Sequence, residues 1–313
     1  MVARPPITVV GAGVVGLSCA LRLLEEGYAV DVVTREPPLE TTSAIAGGFW
    51  FPHLVLPIER VKAWSAEGYA ALADLAATAP ESGVRLVHGR ERRDARPADE
   101  ELWWAEAVAD LEVGDDGFSF TSPVVEMPVY LPWLAARVEA AGGRFVLREL
   151  TGLAGLTELT GSPGDRIVVN CSGLGARELV GDTTVHPVRG QVVLLEPCGV
   201  EEWAMDERNG STYVFPRGGD VVVGGTEDHH AWDRTPDPAT AAAILARATA
   251  LVPALAGARV LGHRVGLRPA RPAVRLEREG RVVHCYGHGG AGVTLSWGCA
   301  SEVVRLVGAP PAG

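Results

Sequence analysis

Residues 7–20, ITVVGAGVVGLSCA, constrain the fold of this chain more than any other stretch. The apolar run at 7–10 suits a strand buried on both faces of a parallel sheet. Gly11, Ala12, Gly13, Val14, Val15 and Gly16 then spell G-x-G-x-x-G and lead into an amphipathic pattern with Leu17, Ala20, Leu21 and Leu24. Gly11 permits the tight turn, Gly13 lets a pyrophosphate reach the backbone, and Gly16 lets the helix pack closely on the strand. Free N–H groups and the positive dipole at the helix start favour a phosphate there. Gly27 closes the helix, and 29–34 reads as a second strand. Glu36 follows twenty residues after Gly16, where a carboxylate can accept hydrogen bonds from an adenosine ribose. Arg35 beside it is either a second cofactor contact or an exposed strand-end arginine. A turn that binds nothing is the bland alternative, but strand, glycines, helix, strand and acid in that order point to a dinucleotide. The motif does not say which one.

Length and charge narrow the setting. A chain of 313 residues can bury a large core and accommodates one or two domains. A net charge of −11 argues against general affinity for nucleic acid or an anionic membrane. No apolar run approaches a membrane span. The first strand starts too early for a signal peptide, so cytoplasmic residence is expected. Cys19, Cys171, Cys198, Cys285 and Cys299 are scattered, which argues for free thiols and gives no zinc-ligand spacing. No metal is expected.

Along the chain, Pro37-Pro38 break the second strand, and TTSAIAGGFWFP then suits either a loop wrapped round a ligand or an ordinary turn. Helices are expected at 57–77, 102–109 (short), 130–141 and 236–251, with a final one ending near 307. Strands are expected at 84–88, 118–125, 144–149, 166–170, 191–195, 212–216, 220–224, 259–265, 273–276 and 281–286. The charged segment 89–101 reads as a solvated loop. Strand 166–170 runs into Cys171-Ser172-Gly173, a second ligand-facing turn of the kind a doubly wound sheet offers. The order is α/β at both ends with mixed material between. It implies a Rossmann-type α/β dinucleotide domain assembled from 1–55, 130–188 and 266–313. A second α+β domain with a mixed or antiparallel sheet comes from 56–129 and 189–265.

The chemistry-bearing residues lie far from the first motif. His288 to Thr294, HGGAGVT, is a second glycine-rich junction, opening the last helix. A helix N-terminus aimed at a ring system stabilises negative charge developing there. A reduced isoalloxazine carries such charge and a nicotinamide does not. Close helix–strand packing is the alternative reason for these glycines. In GLRPARPAVRLERE, Arg268 stands beside the rigid Pro269 and can present a fixed fork to a carboxylate. Arg275, seven positions on, points to the opposite face if the strand is regular, toward a cofactor or a salt bridge. Tyr213 in STYVFPR can donate its hydroxyl to the same carboxylate, or be a half-buried strand tyrosine.

Together AGGFWFP, VNCSG, HPVRGQ, YVFPR, GLRPARP and GHGGAGVTLSWG, in this order, resemble the D-amino-acid oxidase family of FAD flavoenzymes over almost the whole chain. The resemblance implies that Arg268 pairs with the substrate carboxylate and that Tyr213 hydrogen-bonds it. The carbonyl of Gly290 would accept from the substrate amine. It implies FAD contacts at Gly11–Gly16, Thr42, Ser43, Ala46, Gly47, Gly48 and Leu150, beside Arg35, Glu36 and Ser172, which are expected cofactor contacts from their places after the second strand and in the second turn. The implied contacts continue at Arg275, Gly289, Gly290, Gly292, Val293 and Thr294. Hydride would pass from the substrate Cα to flavin N5, giving an imino acid that hydrolyses to a 2-oxo acid and ammonia, and O2 would reoxidise the flavin to yield hydrogen peroxide. No base need attack the Cα proton, consistent with the lack of an obvious His–carboxylate pair.

Departures from the family pattern limit the substrate assignment. Asn209 stands where vertebrate members carry a second tyrosine, and Glu227 follows Thr226 where yeast-type members place one. Met205, Trp50 and Glu227 are expected at the side-chain pocket. His53 resembles a histidine of the D-aspartate oxidase branch, though a surface loop histidine reads equally well. Glu227, Asp228, His229 and His230 form a polar cluster that lacks a third good ligand for a metal. The chain ends PPAG, without a peroxisomal tripeptide, so a bacterial cytoplasm is expected. A neutral or hydrophobic D-amino acid is the expected substrate, with D-aspartate, D-glutamate or glycine as the alternative and an NAD-linked dehydrogenase more remote. The oligomeric state stays open, a homodimer being compatible with it.

Overall fold

The computed structural model describes residues 4–52, 55–93, 102–155, 166–208 and 211–309. Its strands are β1 (Ile7–Val10), β2 (Val30–Thr34), β3 (Val84–Arg92), β4 (Glu112–Gly114), β5 (Gly117–Val125), β6 (Arg144–Leu147) and β7 (Ile167–Asn170). They continue as β8 (His186–Leu195), β9 (Trp203–Asp206), β10 (Thr212–Pro216), β11 (Val221–Gly224), β12 (Asp228–His229), β13 (Val260–Glu279) and β14 (Val282–His288). The helices are α1 (Val14–Glu25), α2 (Ile58–Thr78), α3 (Met127–Ala140), α4 (Ala176–Leu179), α5 (Pro238–Leu251) and α6 (Gly292–Gly308).

All the strands share one sheet in the order β4-β5-β3-β9-β10-β11-β8-β13-β14-β7-β1-β2-β6, with β12 paired to β8 off this path. From β14 to β6 the pairs are parallel. β1 lies between β7 and β2, and all four of its residues are buried, as its apolar run requires. From β10 to β14 the neighbours are antiparallel. Helices α1 and α6 pack against each other beside the parallel strands. Two glycines bring α2 and α6 into close contact. A Cβ at Gly68 would lie 2.0 Å from the Thr294 carbonyl oxygen, and one at Gly298 would lie 2.4 Å from Trp64 Cα. A separate apolar cluster joins Val193, Leu195, Val214 and Val223 of the antiparallel strands to Ile244 and Ala248 of α5. Asp237 caps α5 by accepting from the Thr240 N–H at 2.7 Å.

Four expectations need correction. The segment read as a solvated loop from residue 89 opens as strand, β3 running on to Arg92 with Glu91 buried, and 94–101 lie outside the described residues. The strands read at 259–265 and 273–276 are one strand of twenty residues, β13. Its two prolines sit near a register shift between Ala270 and Arg275, where the ladder to β14 is interrupted, so their missing N–H groups break no regular pairing there. The short helix expected at 102–109 is a single 3-10 turn at Ala105–Ala107. The helix expected at 130–141 starts earlier, at Met127, with a proline in its first turn where no N–H is needed.

Candidate active site

A cavity of about 710 Å³ runs from the Gly11–Gly16 turn to the start of α6 and on to the antiparallel strands. The glycine turn forms one end. Gly11 has φ +106°, and a Cβ on it would lie 2.6 Å from the Cys171 carbonyl oxygen. A Cβ on Gly16 would lie 2.0 Å from the Gly11 oxygen, so helix and turn meet backbone to backbone. The Val14 N–H, at the first position of α1, donates to Ser43 Oγ at 3.0 Å. Arg35 and Glu36 follow β2 and pair with each other at 3.2 Å, at the cavity edge. Thr42, Ser43, Ala46, Gly47, Gly48, Leu150 and Ser172 line its flank. Gly289, Gly290, Gly292 and Val293 line the far side, where α6 begins. Bare backbone at one end and a second helix N-terminus at the other suit an elongated anionic cofactor with a ring system, and the residues present fit FAD.

Beyond the glycines of α6 stand Arg268 and Tyr213. Arg268 projects from the middle of β13, where it pairs with Val188 of β8, two residues before the first pairing with β14 at Ala270. Its guanidinium lies flat on the Gly190 backbone, where any Cβ would come within 2.6 Å of Cζ and both terminal nitrogens. Gly290 faces the same side chain, and a Cβ there would lie 3.6 Å from Arg268 Cδ. Nη1 donates to the Thr226 carbonyl at 2.9 Å. Tyr213 lies across β10–β11 from Gly224. A Cβ on Gly224 would sit 2.3 Å from Tyr213 Cζ, and one on Gly225 2.5 Å from Cε1. The tyrosine ring stacks on Phe215 at 4.8 Å, and Phe215 on Phe49 at 4.3 Å, which fixes its plane. Burial pushes the Tyr213 hydroxyl above its ordinary value, with Arg268 acting against that rise. The hydroxyl therefore holds its proton at neutral pH and can donate it in a hydrogen bond.

Met205 and Glu227 also line the cavity. Met205 is the β9 neighbour of Tyr213. Three other expected residues do not line it. Trp50 is fully buried, and its Nε1 donates to the Ser65 carbonyl at 2.9 Å, within a cluster of aromatic rings. Thr294 is buried, with Oγ1 bonded to the Phe51 N–H at 3.0 Å and to the Phe51 carbonyl at 3.1 Å. Arg275 donates to Tyr286 Oη at 2.8 Å and pairs with Glu277 at 2.6 Å and with Glu279. His53 and Asn209 lie outside the described residues.

Several cavity residues escaped the sequence reading. Gly190, Gly224 and Gly225 are cradle positions for the two polar side chains. Phe49 and Phe51 line the cavity on either side of Trp50. Trp232, Arg234 and Glu207 complete the charged and aromatic end. The one available signal was the period of two in GFWF, which turns Phe49 and Phe51 to one side and Trp50 to the other.

Comparison with known proteins agrees with this arrangement. The family described as "DAO: FAD dependent oxidoreductase" matches residues 6–306. A D-amino-acid oxidase of Rubrobacter xylanophilus is 50% identical over 317 residues, covering 96% of this chain and 95% of that one. A D-amino-acid oxidase of Streptomyces coelicolor is 45% identical, covering 96% of each. Glycine oxidase from Geobacillus kaustophilus superposes with a TM-score of 0.78 over 97% of this chain and 95% of its own, at 21% identity, which shows a shared fold. With a glycine cradle at each end of one cavity and the family match running through both, the chain belongs to the DAO family of FAD-dependent oxidoreductases.

Proposed function

We propose that this chain oxidises D-amino acids with neutral side chains to 2-oxo acids, releasing ammonia and hydrogen peroxide. The observation that carries the reading is Arg268, a cation laid on bare backbone at Gly190 and Gly290 with Thr226 as its hydrogen-bond partner. That placement, with Tyr213 also hydrogen-bonded to the guanidinium, leaves further N–H groups for a substrate carboxylate. Tyr213, kept protonated, donates to the same carboxylate. The Gly290 carbonyl accepts from the substrate amine. With carboxylate and amine fixed at separate points, only one enantiomer turns its Cα hydrogen toward the cofactor. Bound FAD supplies the two-electron acceptor for that hydride and delivers the electrons to O2. The Gly11–Gly16 turn, Ser43 and the start of α6 would hold the cofactor.

The domain division fits the same reading in part, since its boundaries at 188/189, 265/266 and 129/130 cut through β8, β13 and α3. The parallel strands β1, β2, β6, β7 and β14 fall within 1–55, 130–188 and 266–313, assigned to FAD. The strands β3, β4, β5, β9, β10 and β11 fall within 56–129 and 189–265, assigned to the substrate. Cytoplasmic residence and a homodimeric state extend the proposal and are checked by cell fractionation and light scattering. Among the described residues no helix is long and apolar enough to cross a membrane.

A second reading, an acidic D-amino acid, is favoured by Arg234, a further cation at the cavity wall. Glu207 and Glu227 line the same cavity and oppose it by like charge. Oxygen uptake across D-alanine, D-methionine, D-phenylalanine, D-aspartate and the L-forms tests both. Turnover of the neutral D-forms supports the proposal, turnover confined to D-aspartate supports the second reading, and turnover of L-forms alone overturns both.

A further inference from the structure

Four of the five cysteines, far apart in sequence, converge behind the Gly11–Gly16 turn. Cys19 comes from α1, Cys171 from the end of β7, Cys285 from β14 and Cys299 from α6. The sulfurs of Cys19, Cys171 and Cys285 all lie within 4.8 Å of one another, with Cys19 and Cys171 at 3.9 Å. Cys285 belongs also to a second group with His288 and Cys299, and its sulfur is 4.0 Å from His288 Nε2. Cys19 and Cys285 are buried. Cys171 is half-buried and, with Cys285 and His288, lines the cavity. A buried free cysteine alone is ordinary core packing. Three sulfurs from separate elements, gathered within 4.8 Å at the edge of the cavity, have the composition of a ligand set.

We propose that Cys19, Cys171 and Cys285 form a three-sulfur site for a thiophilic d10 cation, bordering the cavity at Cys171. The size is right. A metal–sulfur bond of about 2.3 Å places two thiolates on one trigonal or tetrahedral ion about 3.8 to 4.0 Å apart. The Cys19–Cys171 separation of 3.9 Å already meets this, and the other edges, at most 4.8 Å, close with shifts under about 1 Å. Thiolates select soft ions over magnesium or calcium. His288, on the far side of Cys285, groups with Cys299 instead and lies outside the three-sulfur set. Linear spacing hides the site because the three sulfurs come from three different elements. The competing metal-binding surface is His186, His229 and His230, the latter two rings lying 5.8 and 4.3 Å from that of His186. That cluster offers nitrogen only.

The test uses reduced holoenzyme stripped with a chelator, incubated with Cd2+ and desalted. Metal content is read by mass spectrometry and the ligand shell by X-ray absorption at the cadmium edge. We expect one Cd2+ per chain with a sulfur-dominated shell. Cys19→Ser and Cys171→Ser lower the retained metal about tenfold, and Cys198→Ser, in a different apolar cluster, leaves it unchanged. A parent protein that retains no Cd2+ overturns the proposal. So does retention that persists in both triad variants, or that disappears in His186→Ala with His229→Ala. Should the triad variants fail to fold, the parent spectrum decides alone, since a nitrogen- and oxygen-dominated shell excludes the three-sulfur site.

Discussion

Arg268 and Arg275 stand seven residues apart on β13 and occupy opposite chemical situations. Arg268 rests on the backbones of Gly190 and Gly290, with the Thr226 carbonyl as its hydrogen-bond partner, and faces the cavity. Arg275 is held by Glu277, Glu279 and the Tyr286 hydroxyl, and does not face the cavity. Both are partly buried arginines of one strand. What separates them is the company each keeps. A guanidinium neutralised by two carboxylates has little left to offer a ligand, whereas among the described residues no carboxylate forms an ion pair with the one laid on glycine. On the function proposed above, the difference suits the first to substrate binding and the second to structural support.

The strongest way to break that comparison is Arg268→Lys. An ammonium cannot reproduce the planar fork, and each charge-assisted hydrogen bond is worth about 1.5 to 3 kcal/mol. We expect kcat/KM for a neutral D-amino acid to fall about a hundredfold or more, chiefly through KM. Steady-state oxygen uptake checks this, and a parent-like KM would remove Arg268 from the carboxylate site. Gly190→Ala attacks the same residue through its bed. The new methyl, 2.6 Å from the guanidinium, pushes it off the backbone. Misplacement by about 1 Å costs up to about a hundredfold, so a loss of about ten- to a hundredfold in kcat/KM is expected. Circular dichroism and flavin content should stay at parent values, which separates a moved arginine from a misfolded chain. Tyr213→Phe deletes one neutral donor, and we expect KM to rise about tenfold with the stacking on Phe215 intact.

Arg275→Met sharpens the other half. It leaves Glu277, Glu279 and Tyr286 without their shared cation, and a stability loss of about 1 to 2 kcal/mol by urea denaturation is expected. KM should stay within about twofold of the parent. FAD affinity, titrated by flavin fluorescence, should also hold. A tenfold weaker FAD complex would return Arg275 to the cofactor contacts that the sequence resemblance implies.

The legible parts of this molecule are those whose physics is local. The Gly11–Gly16 turn, the buried run of β1 and the start of α6 each follow from residues adjacent in the chain, and the sequence places all three. Arg268 was legible because Pro269 beside it is rigid. The cradles were not. Gly190 is read against Arg268, and Gly224 against Tyr213, only once β8, β13, β10 and β11 are in register. Trp50 and Thr294 fail for a related reason. Each sits in a motif whose neighbours line the cavity, yet strand alternation or helix rotation turns it into the core. The unity of β13 was hidden by its prolines, which normally end a central strand, and is permitted by the register shift beside them.

The smallest expected effect lies where the Arg275 side of the site ends. The Tyr286 hydroxyl accepts from Arg275 and donates to Asp182 at 2.9 Å, and Asp182 also accepts from Arg271 at 2.9 Å. Burial alone would raise the Asp182 carboxyl, but hydrogen bonds from Thr184, Arg271 and Tyr286 outweigh it and hold the group well below the usual carboxylate range. A carboxyl depressed in the folded state binds fewer protons there than in the unfolded chain. Its stabilisation is present above the unfolded value of about 3.9 and drains away as pH falls below it toward the folded value. Asp182→Asn cannot titrate. We expect the variant to be about 1 kcal/mol less stable at pH 7, with the gap to the parent narrowing as pH drops from about 4 downward. Thermal melts at pH 7, 5, 4 and 3 check the sign. A gap that widens toward acid would mean that Asp182 is not the charged anchor of this network, and that Tyr286 and Arg271 draw their order from elsewhere.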